Sequence, residues 1–161
     1  MKALVNSEIF IHGKKDEPIP SDLIRQPGRT SLLLYPSAHA TVLTPEFVES
    51  LSQPVTLIVP DANWRQTKKF VRREPVLQGI SQVRLPDGPP SEYRLRIQRH
   101  ESGLCTLEAI ARAIGQIESP AAQKQLQLLL RVMVERTLWS RGKLAADRCI
   151  TSGIPREAFT G

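Results

Sequence analysis

Short apolar runs and segments of helical periodicity take turns along most of this chain. Glu8 to His12 (EIFIH) and Ser31 to Tyr35 (SLLLY) read as strands, the second stopped by Pro36. Thr44-Pro45 opens a short helix over PEFVESL, with Thr44 as N-cap and Pro45 in the first helical position. Val55 to Val59 (VTLIV) is apolar on both faces and is halted by Pro60, the pattern of a central strand in a covered parallel sheet. Gln82 to Leu85 and Tyr93 to Ile97 are read as two further strands, separated by the turn-forming PDGPPSE.

The last third is helical. Thr106-Leu107-Glu108 leads into a stripe of Ile110, Ala113, Ile114 and Ile117. Ser119-Pro120 then caps a long helix with Leu126, Leu129, Leu130, Met133 and Val134 on one face, and Gly142 ends it. Strands alternating with helices predict an α/β fold, a mostly parallel sheet with helices on both faces. Residues 1–143 form its single domain and 144–161 a loosely held tail. Ligands of such sheets sit beyond the carboxyl ends of the strands. That rule singles out Tyr35-Pro36-Ser37, the segment from Pro60 to Trp64, and the loop after Ile97.

Composition narrows the classes. Hydrophobic residues are 40% and charged residues 24%, ordinary globular usage. No apolar run reaches the ~18 residues of a membrane span, and the start does not resemble a secretory signal. Cys105 and Cys149 are too few for a disulfide framework, which fits a reducing, cytoplasmic setting. Twenty-two Lys and Arg against sixteen Asp and Glu give +6, a balance suited to a polyanionic partner.

Where the charges fall is more specific. In DANWRQTKKFVRR (61–73), a helix from Trp64 onward puts Arg65, Lys68, Lys69, Arg72 and Arg73 at i, i+3, i+4, i+7 and i+8, one basic stripe. Trp64, Thr67, Phe70 and Val71 face the sheet, and the first acid is Glu74. A stripe without interspersed acids suits contact with phosphates better than mere solvation. Asp61 or Asn63 can cap this helix, and Asp61 can equally accept a proton from a bound substrate. Trp64 is either core or a stacking surface. Arg94 and Arg96 alternate on a strand, either salt-bridged or placed to recognise a carboxylate or phosphate. Gly103-Leu104-Cys105-Thr106 joins a glycine loop to a helix start with Thr106 as a candidate N-cap, where free N–H groups suit a polar or anionic ligand. Glu108 in the first turn favours the helix dipole. His12, His39 and His100 match no metal-ligand spacing, and neither a G-x-G-x-x-G nor a P-loop is present.

Taken together, these segments resemble the DTW-domain family, named for an Asp-x-Thr-Trp signature after an apolar strand. Here that signature is VTLIVPDANWRQTKKF, with Asp61 and Trp64 in place and Asn63 where the family has Thr. PPSEYRLR (89–96), LCTLEAIARAI (104–114) and LLLYPSAHA (32–40) extend the similarity over roughly residues 5–141. Relative to the family pattern the chain starts at the second strand, and the first strand, a Thr-Asn-Thr-Gly segment and a cysteine-rich zinc motif have no counterpart.

The resemblance implies a SPOUT-like fold, knotted in the C-terminal half. It also implies a tRNA-uridine aminocarboxypropyltransferase, which moves the 3-amino-3-carboxypropyl group of S-adenosylmethionine to N3 of a uridine. On that reading Asp61 is the catalytic base or the acceptor that orients N3–H. Tyr35, Pro36, Ser37, Pro60, Leu104, Cys105 and Thr106 line the donor cleft, and Trp64 supports the pocket or stacks. Arg94 or Arg96 pairs with the amino acid carboxylate, and the 65–73 stripe holds tRNA phosphates. The alternatives are a SPOUT-type RNA methyltransferase and a catalytically silent RNA-binding module.

Overall fold

A computed structural model describes residues 6–11, 18–95 and 103–151. The chain divides into two compact units, Met1–Pro86 and Asp87–Gly161.

The first unit is built on a four-stranded, wholly parallel sheet of β1 (Thr30–Leu34), β2 (Thr41–Val42), β3 (Val55–Ile58) and β4 (Ser81–Arg84), in the order β2-β4-β1-β3. Leu32, Leu33 and Leu34 are consecutive and all buried, so β1 is covered on both faces, as an inner parallel strand must be. Its register sets Leu33 opposite Ile58 of β3 and Gln82 of β4. Among the described residues, this unit carries the α-helices α1 (Ser21–Ile24), α2 (Pro45–Glu49) and α3 (Trp64–Arg73). Thr44 caps α2 by accepting from Phe47 N–H at 3.2 Å, with Pro45 at the first position as its sequence predicts. Val71 of α3 packs on Leu33, Leu77 and Ile80, with Phe70, Tyr35 and Ile58 at the margin of the cluster.

Three expectations change here. The apolar run at 55–59 is not central: among the described residues β3 ends the strand order, and all four of its residues are half-buried. An apolar run reports cover on its faces but not its rank in the sheet. Residues 8–11 are not a strand, Ile9 and Ile11 are exposed, and His12 lies outside the described residues. Alternation marks a strand only where a partner is at hand, and pairing is non-local. Conversely β2, two residues long, leaves no periodic trace.

The second unit contains α4 (Thr106–Ile117) and α5 (Pro120–Ser140), which pack on each other. Ser119 caps α5 by accepting from Ala122 N–H at 3.2 Å. Of its expected face, Leu126, Leu130 and Val134 are buried, while Leu129 and Met133 are exposed. On α4 the fully buried positions are Ala111, Ala113 and Glu108. Ile110, Ile114 and Ile117 are half-buried. Gly142 (φ +65°) ends α5: its N–H reaches Trp139 O and that of Lys143 reaches Leu138 O, both at 2.8 Å, a Schellman closure needing a left-handed residue. Among the described residues no helix is long and apolar enough to cross a membrane.

Within the expected strand from Tyr93 to Ile97, the described residues Tyr93 to Leu95 are not a strand. Tyr93 is irregular, Arg94 and Leu95 form a turn, and Arg96 and Ile97 lie outside the described residues. The partner is non-local: the buried Glu108 carboxylate takes the Ser91 hydroxyl (2.5 Å) and the Glu92 N–H (2.6 Å), and Tyr93 and Leu95 pack against the cluster of Cys105, Leu130 and Val134. Arg112 adds a hydrogen bond to Pro89 O, and Arg131 grips Glu92 through Nε (2.5 Å) and Nη2 (2.7 Å). That guanidinium holds the Glu92 carboxyl below the usual carboxylate range.

Beyond α5, a turn at Ala146–Arg148 returns the chain to Glu135, which accepts from the N–H groups of Ile150 (2.9 Å) and Thr151 (3.0 Å) and from the Thr151 hydroxyl. Burial pushes this carboxyl up, but the hydrogen bonds from Thr151 and Ile150, with the charge of Arg94, outweigh it and leave the group lowered. A group lowered in the folded state stabilises most above its unfolded value, near 4.5, and loses that contribution as pH falls through the folded value. Glu135→Gln is therefore expected to speed amide exchange at Ile150 and Thr151 by about tenfold at neutral pH, the loss of a charge-assisted hydrogen bond. Acid should abolish the difference between variant and parent.

Candidate functional site

In an all-parallel sheet every strand delivers its carboxyl end to the same edge. β1 and β3 are hydrogen-bonded neighbours in register, so Tyr35-Pro36-Ser37 and Val59-Pro60-Asp61 leave that edge side by side. Tyr35 N–H still bonds Val83 O at 2.9 Å, and Ser37 N–H bonds back to Tyr35 O at 2.8 Å, a tight turn at the strand end. The Ser37 hydroxyl oxygen is buried and, among the described residues, has no hydrogen-bond partner. A buried hydroxyl left unmatched costs about 1–3 kcal/mol, a cost that a polar ligand group would relieve. Pro60 is half-buried and Asp61 exposed.

Asp61 is not the cap of α3. That role belongs to Asn63, whose Oδ1 accepts from Gln66 N–H at 2.9 Å while Gln66 Oε1 accepts from Asn63 N–H at 3.3 Å, a reciprocal capping box. The asparagine at 63 is thus a cap of the same class as the threonine of the signature. Asp61 lies two residues earlier, outside the helix.

α3 turns Thr67 and Val71 inward, with Phe70 at the edge of the core, as predicted. Trp64 departs from that expectation: its side chain is 58% exposed. A first-turn side chain leans back over the turn N-terminal to it, here beyond the strand ends, where there is no sheet to pack on. Arg65, Lys68, Lys69, Arg72 and Arg73 are all exposed and together line an open groove of about 350 Å³. Arg72 and Arg73 in the last turn suit the helix dipole; Arg65 at the start opposes it, and no acid sits in the first turn. The Gln78 side chain donates to the carbonyls of Val71 (3.1 Å) and Glu74 (3.1 Å), so side chains secure both ends of this self-repelling helix.

The remaining candidates belong to the second unit. Cys105, not Thr106, is the N-cap of α4; Thr106 is its first residue. Cys105 Sγ accepts from Glu108 N–H at 3.5 Å, and Glu108 Oε2 accepts from Cys105 N–H at 3.0 Å. Burial pushes the thiol up, away from the reactive thiolate. Leu104 is half-buried beside it. Arg94 is exposed in its turn, and its charge helps to lower both Glu92 and Glu135. Arg96 lies outside the described residues. Among those described, no cluster of His, Cys, Asp and Glu could hold a metal ion.

The first unit therefore gathers Tyr35, Pro36, Ser37, Pro60, Asp61 and Trp64 at one sheet edge, and the second gathers Leu104, Cys105 and Thr106 at one helix start. Beyond favouring the helix dipole, Glu108 holds Ser91, Glu92 and the start of α4 through its carboxylate. The signal was present, since Cys-Thr-Leu-Glu is a capping box with cysteine where serine or threonine is usual.

Comparison with known proteins supplies the remaining facts. The DTW domain matches residues 1–138. The tRNA-uridine aminocarboxypropyltransferase 2 of Drosophila melanogaster is 36% identical over 95 residues, 59% of this chain and 37% of that protein. The protein of the same name from Macaca fascicularis is 32% identical over 102 residues, 63% of this chain and 34% of its own. That of Mus musculus is 34% identical over 88 residues, 55% and 30% respectively. The chain thus matches about a third of the length of these curated relatives. No solved structure matches.

Asn63→Thr is expected to leave thermal stability nearly unchanged, whereas Asn63→Ala should cost about 1 kcal/mol in denaturant unfolding. Equal losses in the two variants would show that capping does not explain the residue.

Proposed function

This chain belongs to the DTW domain family, and on that premise we propose that it transfers the 3-amino-3-carboxypropyl group of S-adenosylmethionine to N3 of a uridine in tRNA. The observation that carries the reading is the pairing at one sheet edge of an exposed aspartate, Asp61, with a buried and unmatched hydroxyl, Ser37. The names of three curated relatives agree with it. A SPOUT-like arrangement with a knotted C-terminal half and a cytoplasmic location belong to the same reading.

When bound, the donor supplies an electrophilic γ-carbon on a sulfonium that departs as a neutral thioether, so no residue need act as general acid. Asp61 accepts the N3 proton, or the hydrogen bond of N3–H, as the N3–C bond forms and the C–S bond breaks. Ser37 offers its unmatched hydroxyl to a polar group of the donor, and Tyr35, Pro36 and Pro60 form the wall beside it. The family likeness assigns Leu104, Cys105 and Thr106 to the donor as well, with Arg94 or Arg96 pairing with its carboxylate. Arg65, Lys68, Lys69, Arg72 and Arg73 hold tRNA phosphates through their groove. Orientation of the reactants supplies much of the remaining acceleration.

Mass spectrometry of nucleosides from tRNA treated with the purified protein and donor is expected to show the aminocarboxypropyl adduct of uridine; a methylated uridine instead would refute the assignment. Asp61→Ala should lower transfer by roughly 10²-fold or more while donor affinity stays within a factor of about two. Turnover at the parent rate removes Asp61 from the mechanism. Replacing Lys68, Lys69 and Arg72 together by Gln should reduce the slope of log affinity against log salt by roughly 2; an unchanged slope would mean that phosphates bind elsewhere.

A further inference from the structure

Trp64 stands out on α3. A packed tryptophan buries about 150–250 Å², yet this one is 58% exposed, while Thr67 and Val71 of the same helix are buried at 6% and 9%. On a helix surface residue 64 adjoins residue 68, four positions on. The indole is therefore contiguous with Lys68 and so with the groove that the five cations line. Arg65 to Arg72 spans about 10 Å at 1.5 Å per residue, room for more than one phosphate. Asp61 precedes the cap at the same end of the helix as the indole.

An exposed aromatic face at the head of a cationic row matches one chemistry: a phosphate chain whose bases are free to leave their stack. A duplex offers the phosphates, but its base faces are already occupied by their neighbours. A small acidic peptide or a free anion would use the cations and leave the indole in water. We infer that α3 reads unpaired RNA, with Trp64 stacking on a base while the stripe holds phosphates of the same strand. The inference rests on the reading of α3 as the RNA-contacting element, and it deepens it: the stacked base is presented at the end of the helix where Asp61 stands. Trp64 then contacts RNA rather than the donor.

The test uses the full chain without donor. Its tryptophan emission is titrated with oligouridylate, with an RNA duplex carrying the same number of phosphates, and separately with S-adenosylmethionine. Oligouridylate is expected to quench emission and the duplex not. The quench should vanish in Trp64→Phe, where Trp139 remains as the other indole. Trp64→Ala should weaken oligouridylate binding by roughly tenfold or more, with the salt slope unchanged, and Trp64→Phe should retain most of the affinity because a phenyl ring also stacks. Equal affinity of Trp64→Ala and the parent, equal quenching by duplex, or quenching by S-adenosylmethionine alone would overturn the inference. Because no step of this experiment involves transfer, its failure is distinguishable from a negative nucleoside analysis.

Discussion

Parallel pairing of β1 with both β3 and β4 is the constraint on which the first unit depends. It obliges β1 to be apolar on both faces, which Leu32, Leu33 and Leu34 satisfy, and it sends each connection back across a face of the sheet. It also places the ends of β1 and β3 beside each other. Ser37 and Asp61 come from segments more than twenty residues apart in the chain, and only that shared direction gives them a common edge. Had the two strands run antiparallel, the tyrosine-proline and aspartate segments would have emerged at opposite ends.

α3 shows how local stability and charge are reconciled. Five cations on one helix disfavour it, by roughly 0.2–0.5 kcal/mol for each like-charged i,i+4 neighbour. Asn63 and Gln66 close its start and Gln78 its end, and Thr67 and Val71 anchor it to the sheet. The stripe is thereby displayed on a helix held at three places, with no acid in its first turn. α4 begins in a similar way, with Cys105 and Glu108 forming the corresponding box. Two of the segments that carry the family likeness are, in physical terms, two helix starts.

Much of this was legible in the residues. β1, β3 and β4 lie within a residue or so of their apolar runs, because β-branched and leucine clusters ended by proline leave few alternatives. The cap at Ser119 and the stop at Gly142 follow from side-chain chemistry that acts over a few residues. What failed was non-local. EIFIH has the alternation of a strand, but alternation carries no information about a partner. The 93–97 segment has it too, but the two residues before it, Ser91 and Glu92, are held by the Glu108 carboxylate of α4, sixteen or so residues away. The place of β3 in the sheet order and the exposure of Trp64 likewise depend on what surrounds them rather than on their own sequence. For the site, the sequence offers both Asp61 and Asn63 as the cap of α3, and only the geometry assigns that role to Asn63.

Glu108 leaves little latitude at its position. One carboxylate oxygen meets the Glu92 amide and the other meets both the Cys105 amide and the Ser91 hydroxyl. An isosteric amide would have to turn an NH₂ group toward one of two backbone amides, neither of which can reverse its polarity as a hydroxyl can. Glutamine, the gentlest replacement on most surfaces, is here a repulsive one, because two converging backbone donors leave room for acceptors alone.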